Sequence, residues 1–332
     1  MCSKPVEVTT HNLHFHENSG ILSLDYCENL IATSGYDKSI RLWEINLTAI
    51  NSLYTENCYK TAANSSIRIG FYREFTNFKG IVNCVRFYRG NDLESGFYRI
   101  AASDDTGRVI LIIINGETAN YKVIHEGEGN SCYDLSWINK NELALCFDSG
   151  KIKILKIEEK ILKKIKYQTV LEKEIHNSII QGISICKKTK RIATFSLDKT
   201  LKISLLNNLE IFSVLTADLD LTHGIFKRIL IDDNLLYVPT KRKTLSIFVY
   251  PFKPENLHMK LGPFNAPVVK ILKNEEFLVV VTKKSIYILK DYKKQVYVDN
   301  VAFKEVTDAF IDDKIIFYSS MDGFLGSIRL QD

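Results

Sequence analysis

The sequence predicts an all-β chain folded as a seven-bladed propeller closed by an N-terminal strand, and three observations predict it. The first is the stretch from Leu30 to Trp43. Ile31 and Thr33 alternate with smaller residues, Ser34 to Lys38 supply turn chemistry, and Ile40, Leu42 and Trp43 resume a buried strand pattern. The second is recurrence. A turn residue followed six positions later by a mostly apolar one stands at 37, 105, 148, 198, 242, 283 and 322, with gaps of 68, 43, 50, 44, 41 and 39 residues. A four-stranded blade takes about 40–45 residues, so five gaps fit one blade each and the first fits a blade plus an insertion. The third is that His16, His125 and His176 precede Asp37, Asp148 and Asp198 by 21, 23 and 22 residues.

The turn aspartates Asp37, Asp105, Asp148, Asp198 and Asp322, with Trp43 six residues after the first, resemble the ends of WD40 repeats. The resemblance implies that His16, His125 and His176 lie in the loops leading into blades and hydrogen-bond the turn carboxylates. A neutral donor on a charged acceptor would rigidify the turn without leaving a lone buried charge. Seven anchors imply a single seven-bladed WD40 β-propeller over residues 1–332.

In chain order, residues 6–15 have β character and are expected to pair beside the last blade near Ser327 to Leu330, removing two exposed edges. His11, His14 and His16 invite a metal reading. On a strand, 14 and 16 share a face and 11 points away, and no acid or cysteine lies at a zinc-site spacing, so no metal is expected. Blade 1 covers about 16–45, and residues 46–76, rich in Asn, Ser, Thr and Tyr, form an insertion with partial β structure. Blades 2 to 7 fill about 78–330. Val109 to Ile114 is wholly apolar, as a strand buried on both faces should be. Lys151 to Ile157 alternates basic and apolar residues and reads as an outer strand with one solvated face, the functional alternative being a cationic strip. Blade 5 spans about Phe226 to Tyr250, blade 6 about Ala266 to Lys290 and blade 7 about Val306 to Leu330.

Composition narrows the function classes. Hydrophobic residues make up 45% of 332, enough for a substantial core. No apolar run reaches the roughly 18 residues that span a bilayer, and residues 1–10 lack the shape of a signal peptide, so an intracellular protein without membrane partners is expected. Seven scattered cysteines, none in a C-x-x-C pair, read as reduced thiols. No G-x-S-x-G elbow, phosphate loop or convergent metal cluster appears, and the turn aspartates are needed structurally. Neither catalysis nor a cofactor is expected.

The anchor turns carry Lys38, Arg108, Lys151, Lys199, Arg242, Lys243, Lys283 and Lys284. With a net charge of +5, such a set of cations could attract an acidic peptide, an acidic tail or nucleic-acid phosphates; the plain alternative is that tight turns are solvated. Lys241 to Lys243 also resembles a minimal nuclear import cluster.

Several short motifs go beyond the generic repeat. They are Phe15-His16, Ile21 to Asp25, Val82 to Phe87, Tyr133 to Trp137, Gln181 to Ile183, Phe226 to Ile229 with Tyr237 to Thr240, Val306 to Asp308 and Ser319 to Gly323. In this order they resemble the middle subunit of chromatin assembly factor 1, with the HIR/HIRA histone chaperones as close relatives. The resemblance implies a nuclear, non-enzymatic scaffold that joins a large and a small subunit to deposit histones H3–H4 on newly replicated DNA. Direct DNA contact stays open. The family's C-terminal basic motif for the chaperone Asf1 has no counterpart before Asp332, so Asf1 docking is not expected of these residues. A replication-independent HIRA-like chaperone, and a generic WD40 adaptor in ubiquitin ligation or RNA processing, are the alternative readings.

Overall fold

The structure, a computed structural model, describes residues 6–11, 19–46, 68–90, 96–127, 129–160, 164–216, 229–302 and 304–330. The expected positions of His14, Phe15, His16 and Phe226 lie outside them, as does most of the expected insertion. The described residues form seven four-stranded antiparallel sheets, with one 3-10 turn at Pro254–Asn256.

Strand β1 (Val6–His11) leaves the N-terminus and joins the last sheet. The first sheet is β2 (Ile21–Cys27), β3 (Leu30–Gly35), β4 (Ile40–Asn46) and β5 (Arg68–Phe75). The second is β6 (Val82–Phe87), β7 (Phe97–Asp104), β8 (Val109–Asn115) and β9 (Thr118–His125). The third is β10 (Cys132–Asn139), β11 (Glu142–Phe147), β12 (Lys151–Lys160) and β13 (Lys164–Glu174). The fourth is β14 (Ile180–Cys186), β15 (Arg191–Ser196), β16 (Leu201–Leu205) and β17 (Ile211–Leu215). The fifth is β18 (Leu230–Asp232), β19 (Leu235–Thr240), β20 (Thr244–Val249) and β21 (Leu257–Leu261). The sixth is β22 (Val268–Lys273), β23 (Leu278–Thr282), β24 (Ile286–Lys290) and β25 (Lys293–Val298). The seventh is β26 (Val306–Asp312), β27 (Ile315–Ser320) and β28 (Leu325–Leu330), completed by β1.

The chain divides into two compact units, one of Met1–Val85 with Val269–Asp332 and one of Arg86–Val268. In the first, β1 pairs antiparallel with β28, Val6 opposite Leu330 and His11 opposite Leu325, which is the expected closing pair. Its interior gathers Leu24, Ile31, Trp43, Phe317 and Leu325 in one cluster and Val279, Ile286, Ile316, Tyr318 and Ile328 in another. In the second unit, Ala144, Ile152, Ile180 and Ile192 form one cluster and Ala193, Phe195, Leu236 and Phe248 another. Each fully buried Val, Leu, Ile or Phe side chain among them stabilises the fold by about 1.5–3 kcal/mol. Strand β8 is buried from Val109 to Ile114 on both faces, as its composition predicts.

Two expectations change. The anchor frame ends blades 1, 5 and 6 at their third strands; the fourth strands are β5, β21 and β25, and β5 falls inside the 46–76 stretch. Outer strands touch the core on one side only, so their sequences carry too little apolar alternation to announce them. Secondly, Lys151 to Ile157 is the third strand of its sheet, not the outer one. Its lysines reach across to β13, where Lys151 and Lys153 pair with Glu172 at 3.3 and 3.5 Å. Burial opposes ionisation of Glu172, yet those two lysines hold its carboxyl below the usual range.

Outer strands also bulge. The pairings of β4 with β5, β8 with β9, β12 with β13, β16 with β17, β20 with β21 and β24 with β25 each skip one outer residue, for instance Val170 and Phe212. A bulge adds local twist and re-aims the skipped side chain.

Candidate functional site

The turns between second and third strands share one design. Six of the sheets use five residues, and the carbonyl of the first accepts the N–H of the fourth: Gly35 from Lys38, Asp104 from Gly107, Phe147 from Gly150, Ser196 from Lys199, Thr240 from Lys243 and Ser320 from Gly323. The fourth residue is left-handed in every case, with φ of 62° at Lys38, 67° at Lys199, 57° at Lys243, and 79–81° at the three glycines. This is a type I turn closed by a left-handed residue, a common hairpin connection. The sixth sheet instead turns over Thr282 to Ser285, where the Thr282 hydroxyl accepts both the Lys284 and Ser285 N–H groups.

This geometry corrects the sequence frame. Asp37, Asp198, Arg242 and Asp322 are third in their turns, whereas Asp105 and Asp148 are second. Thr106 and Ser149 occupy the third position there. In the second sheet the capping carboxylate is Asp104, which accepts from Thr106 N–H and Oγ1 and from Arg108 N–H at 3.0, 2.6 and 2.9 Å. The glycines at 107 and 150, which mark the left-handed position, carry the register that the aspartates alone misplace.

Where Asp is third, it ties its own turn. Asp37 Oδ1 accepts from Ser39 N–H and Oγ, and Oδ2 meets Arg41 at 2.6 Å. Asp198 Oδ1 accepts from Thr200 N–H and Oγ1. Its Oδ2 accepts from Asn177 N–H and lies 2.9 Å from Nδ1 of buried His176. His176 Nε2 is 2.9 Å from Thr194 Oγ1, so the expected His–Asp pair forms in the fourth sheet. Burial pushes the His176 imidazole below its ordinary pKa against the pull of Asp198. Burial would raise Asp198, but hydrogen bonds from Thr200 and His176 bring it down to about 2.

The His125–Asp148 pair differs, and His16, expected beside Asp37, lies outside the described residues. His125 lies edge-on to the Phe147 ring at 5.4 Å, and the Asp148 carboxylate accepts from Ser131 N–H. Ser131 Oγ in turn donates to the Asp105 carbonyl at 2.6 Å, joining two neighbouring turns. Asp322 accepts from Lys304 N–H and from Ser320 Oγ. Trp43 is fully buried and donates from Nε1 to Thr33 Oγ1 at 2.8 Å. Ser204 stands at the matching place in the fourth sheet, opposite Ile192 as Trp43 is opposite Ile31.

A second set of residues is not legible as a site in the sequence. Among the described residues, first strands bulge just before Ser23, Asp134, Gly182 and Asp308. Asp308 Oδ2 accepts from Ser23 Oγ and Leu24 N–H, Oδ1 accepts from Ala309 N–H, and Lys270 lies 2.8 Å away. Ser23 Oγ accepts from Val85 N–H. In the other unit, Asp134 accepts from Leu135 N–H and from Ile183 N–H of the next sheet. Each carboxylate therefore bridges first strands of adjacent sheets. In the sequence, Tyr133-Asp134-Leu135 and Val306-Thr307-Asp308 stand out only as family motifs.

The turn cations divide by partner. In the second unit Arg108 lies 3.6 Å from Glu126 and Lys151 meets Glu172, while Lys199, Arg242 and Lys243 are exposed; Lys243 Nζ donates to the Asn265 carbonyl. In the first unit Lys283 pairs with Glu305 at 3.0 Å, exposed Lys38 donates to the Lys79 carbonyl, and Lys284 is exposed. Among the described residues, no group of three or more His, Cys, Asp or Glu side chains could hold a metal, and no helix is long and apolar enough to cross a membrane.

Residues 7–44 match the family described as WD domain, G-beta repeat. The structure is similar to the WD40 beta propeller domain of Doa1, with a TM-score of 0.67 at 11% identity, covering 99% of this chain and 98% of that one. It is also similar to the computationally designed Ika8 protein, with a TM-score of 0.59 at 13% identity, covering 95% and 97%. No curated protein matches the sequence. The fold of the chain is the seven-bladed WD40 β-propeller, with a match to the WD repeat over residues 7–44.

Proposed function

We propose that the chain is the propeller subunit of a histone chaperone complex, of the kind to which the middle subunit of chromatin assembly factor 1 belongs. In this reading it is nuclear, performs no chemistry itself, and holds a large and a small subunit so that the assembly can deposit H3–H4. The observation that carries the reading is the ordered run of short motifs from Ile21 to Gly323, spread across nearly the whole chain. The exposed cations Lys199, Arg242 and Lys243 suit an acidic segment of a partner subunit. The test is gel filtration of the chain with a candidate large subunit and H3–H4 at moderate salt. Co-elution of all components is expected, and separate elution sinks the chaperone role.

One observation favours a second reading, a general WD40 adaptor. Asp134 and Asp308, central to two of the motifs, tie adjacent sheets together and so would serve a propeller of any function. Recovery of a ligase or RNA-processing partner in place of chaperone subunits would select it.

A further inference from the structure

Between the third and fourth sheets, within the Arg86–Val268 unit, lies a groove of about 560 Å³. Its floor is apolar: Ile138, Ile154, Leu171 and Leu206, the open margin of a core cluster. One wall is β13, the outer strand of its sheet, so its far edge has no strand partner among those described. Val170 is the residue skipped in the pairing of β13 with β12, and the bulge leaves its side chain 45% exposed beside the groove.

The opposite wall is the tight turn Lys187 to Lys190, where the Lys190 N–H donates to the Lys187 carbonyl. It carries three lysines. Lys188 pairs with Asp233 at 2.6 Å; exposed Lys187, whose Nζ lies 5.6 Å from the centre of the Tyr88 ring, and exposed Lys190 line the groove. The acid that lines it, Glu142, accepts from the Asn139 side-chain amide at 2.5 Å. The groove thus combines a greasy floor, an open strand edge and a cationic lip.

We propose that this groove binds an extended segment of a partner protein in which apolar side chains alternate with acidic ones. The apolar side chains would cover Ile138, Leu171 and Leu206. The acidic ones would meet Lys187 and Lys190, and the backbone would cross the groove past Val170. The inference deepens the scaffold reading by naming one docking surface and the chemistry of its occupant, and it does not depend on the partner being a chaperone subunit.

The test is fluorescence polarisation of the whole chain with a fluorescein-labelled peptide of the pattern Asp-Leu-Asp-Phe-Glu-Leu-Asp. Saturable binding is expected. Val170→Asp and Lys190→Glu should each weaken it by about tenfold or more, and both sites are exposed, so thermal melting should show that the variants remain folded. Replacing the acids of the peptide by lysine, or its apolar residues by glycine, should each cost about tenfold or more. The proposal is overturned by no saturable binding to the unaltered chain. Equal binding to both variants, equal binding of the glycine-bearing peptide, or displacement by a single-stranded RNA of similar length would overturn it too. Failure of H3–H4 to co-elute would leave peptide binding intact, and failure of the peptide would leave co-elution intact.

Discussion

The Asp308 carboxylate accepts the backbone N–H of Leu24 at 3.1 Å, joining the first strand of the last sheet to the first strand of the first sheet across almost the whole sequence. The same side chain holds Ser23 and Lys270. Removing it takes one acceptor from a backbone donor and one charged partner from a mostly buried ammonium group. Such a loss costs about 3–5 kcal/mol when a buried ion pair is broken from one side. Asp308→Ala is therefore expected to lower the urea midpoint by an amount corresponding to about 3 kcal/mol, a large share of a typical domain's stability. Asp308→Asn, which keeps an acceptor for Leu24, should fall between.

Stability should fall with pH in two steps traceable to one pair. The fold holds His176 neutral, with a pKa below the ordinary value, so the unfolded chain takes up a proton first. Stability from this group is whole above about pH 6.5 and declines as pH drops below it. Asp198 is depressed from 3.8 to about 2, so its contribution is whole above the unfolded value and is lost between those two figures. Denaturant melts from pH 8 to 3 should show the first decline in the unaltered chain and a flatter profile near pH 6 in His176→Gln. An identical profile in both would refute the assignment.

The turns are the most legible part of the chain because their chemistry is local. Asp37, Asp198 and Asp322 bond groups within two residues, so spacing alone locates them. Beside Gly107 and Gly150 the third place holds Thr106 and Ser149 and the aspartate stands second, so an alignment on aspartates slips by one. The bulge carboxylates are hidden for the opposite reason. Asp134 and Asp308 sit among apolar residues of buried strands, and their partners Ile183 and Leu24 come from other sheets. The groove is equally silent, since its floor comes from three strands and a turn, and the exposure of Val170 depends on a pairing register that no sequence pattern records.

Ser204 marks a place where the fourth sheet departs from the first. It stands where Trp43 would donate to a threonine, but its Oγ is fully buried with no hydrogen-bond partner. Thr194 is instead served by His176. A buried hydroxyl without a partner costs about 1–3 kcal/mol, so Ser204→Ala is expected to raise stability by about 1 kcal/mol, read as a higher melting temperature. Thr194→Val, which removes the hydroxyl that His176 meets, should act in the opposite direction.

The left-handed turn positions give a matched pair of substitutions with opposite signs. Lys199 holds φ at 67° with an exposed side chain, and a left-handed conformation costs an L-residue about 1–2 kcal/mol. Lys199→Gly relieves that strain but adds freedom to the unfolded chain, so the expected gain is small, about 0.5 kcal/mol. Gly150 holds φ at 79°, and a Cβ there would lie 2.0 Å from the His176 carbonyl oxygen. That backbone cannot retreat cheaply, because the Gly150 carbonyl already accepts the Ile175 and His176 N–H groups and the His176 ring is fixed by Asp198. Gly150→Ala should therefore destabilise by well over the strain alone, about 3 kcal/mol, and loosen the His176–Asp198 pair. Guanidinium melts of the two variants, with the His176 ring signals followed by NMR, separate the cases. A loss at Lys199→Gly as large as at Gly150→Ala would mean that the turn lysine contributes contacts outweighing its backbone strain.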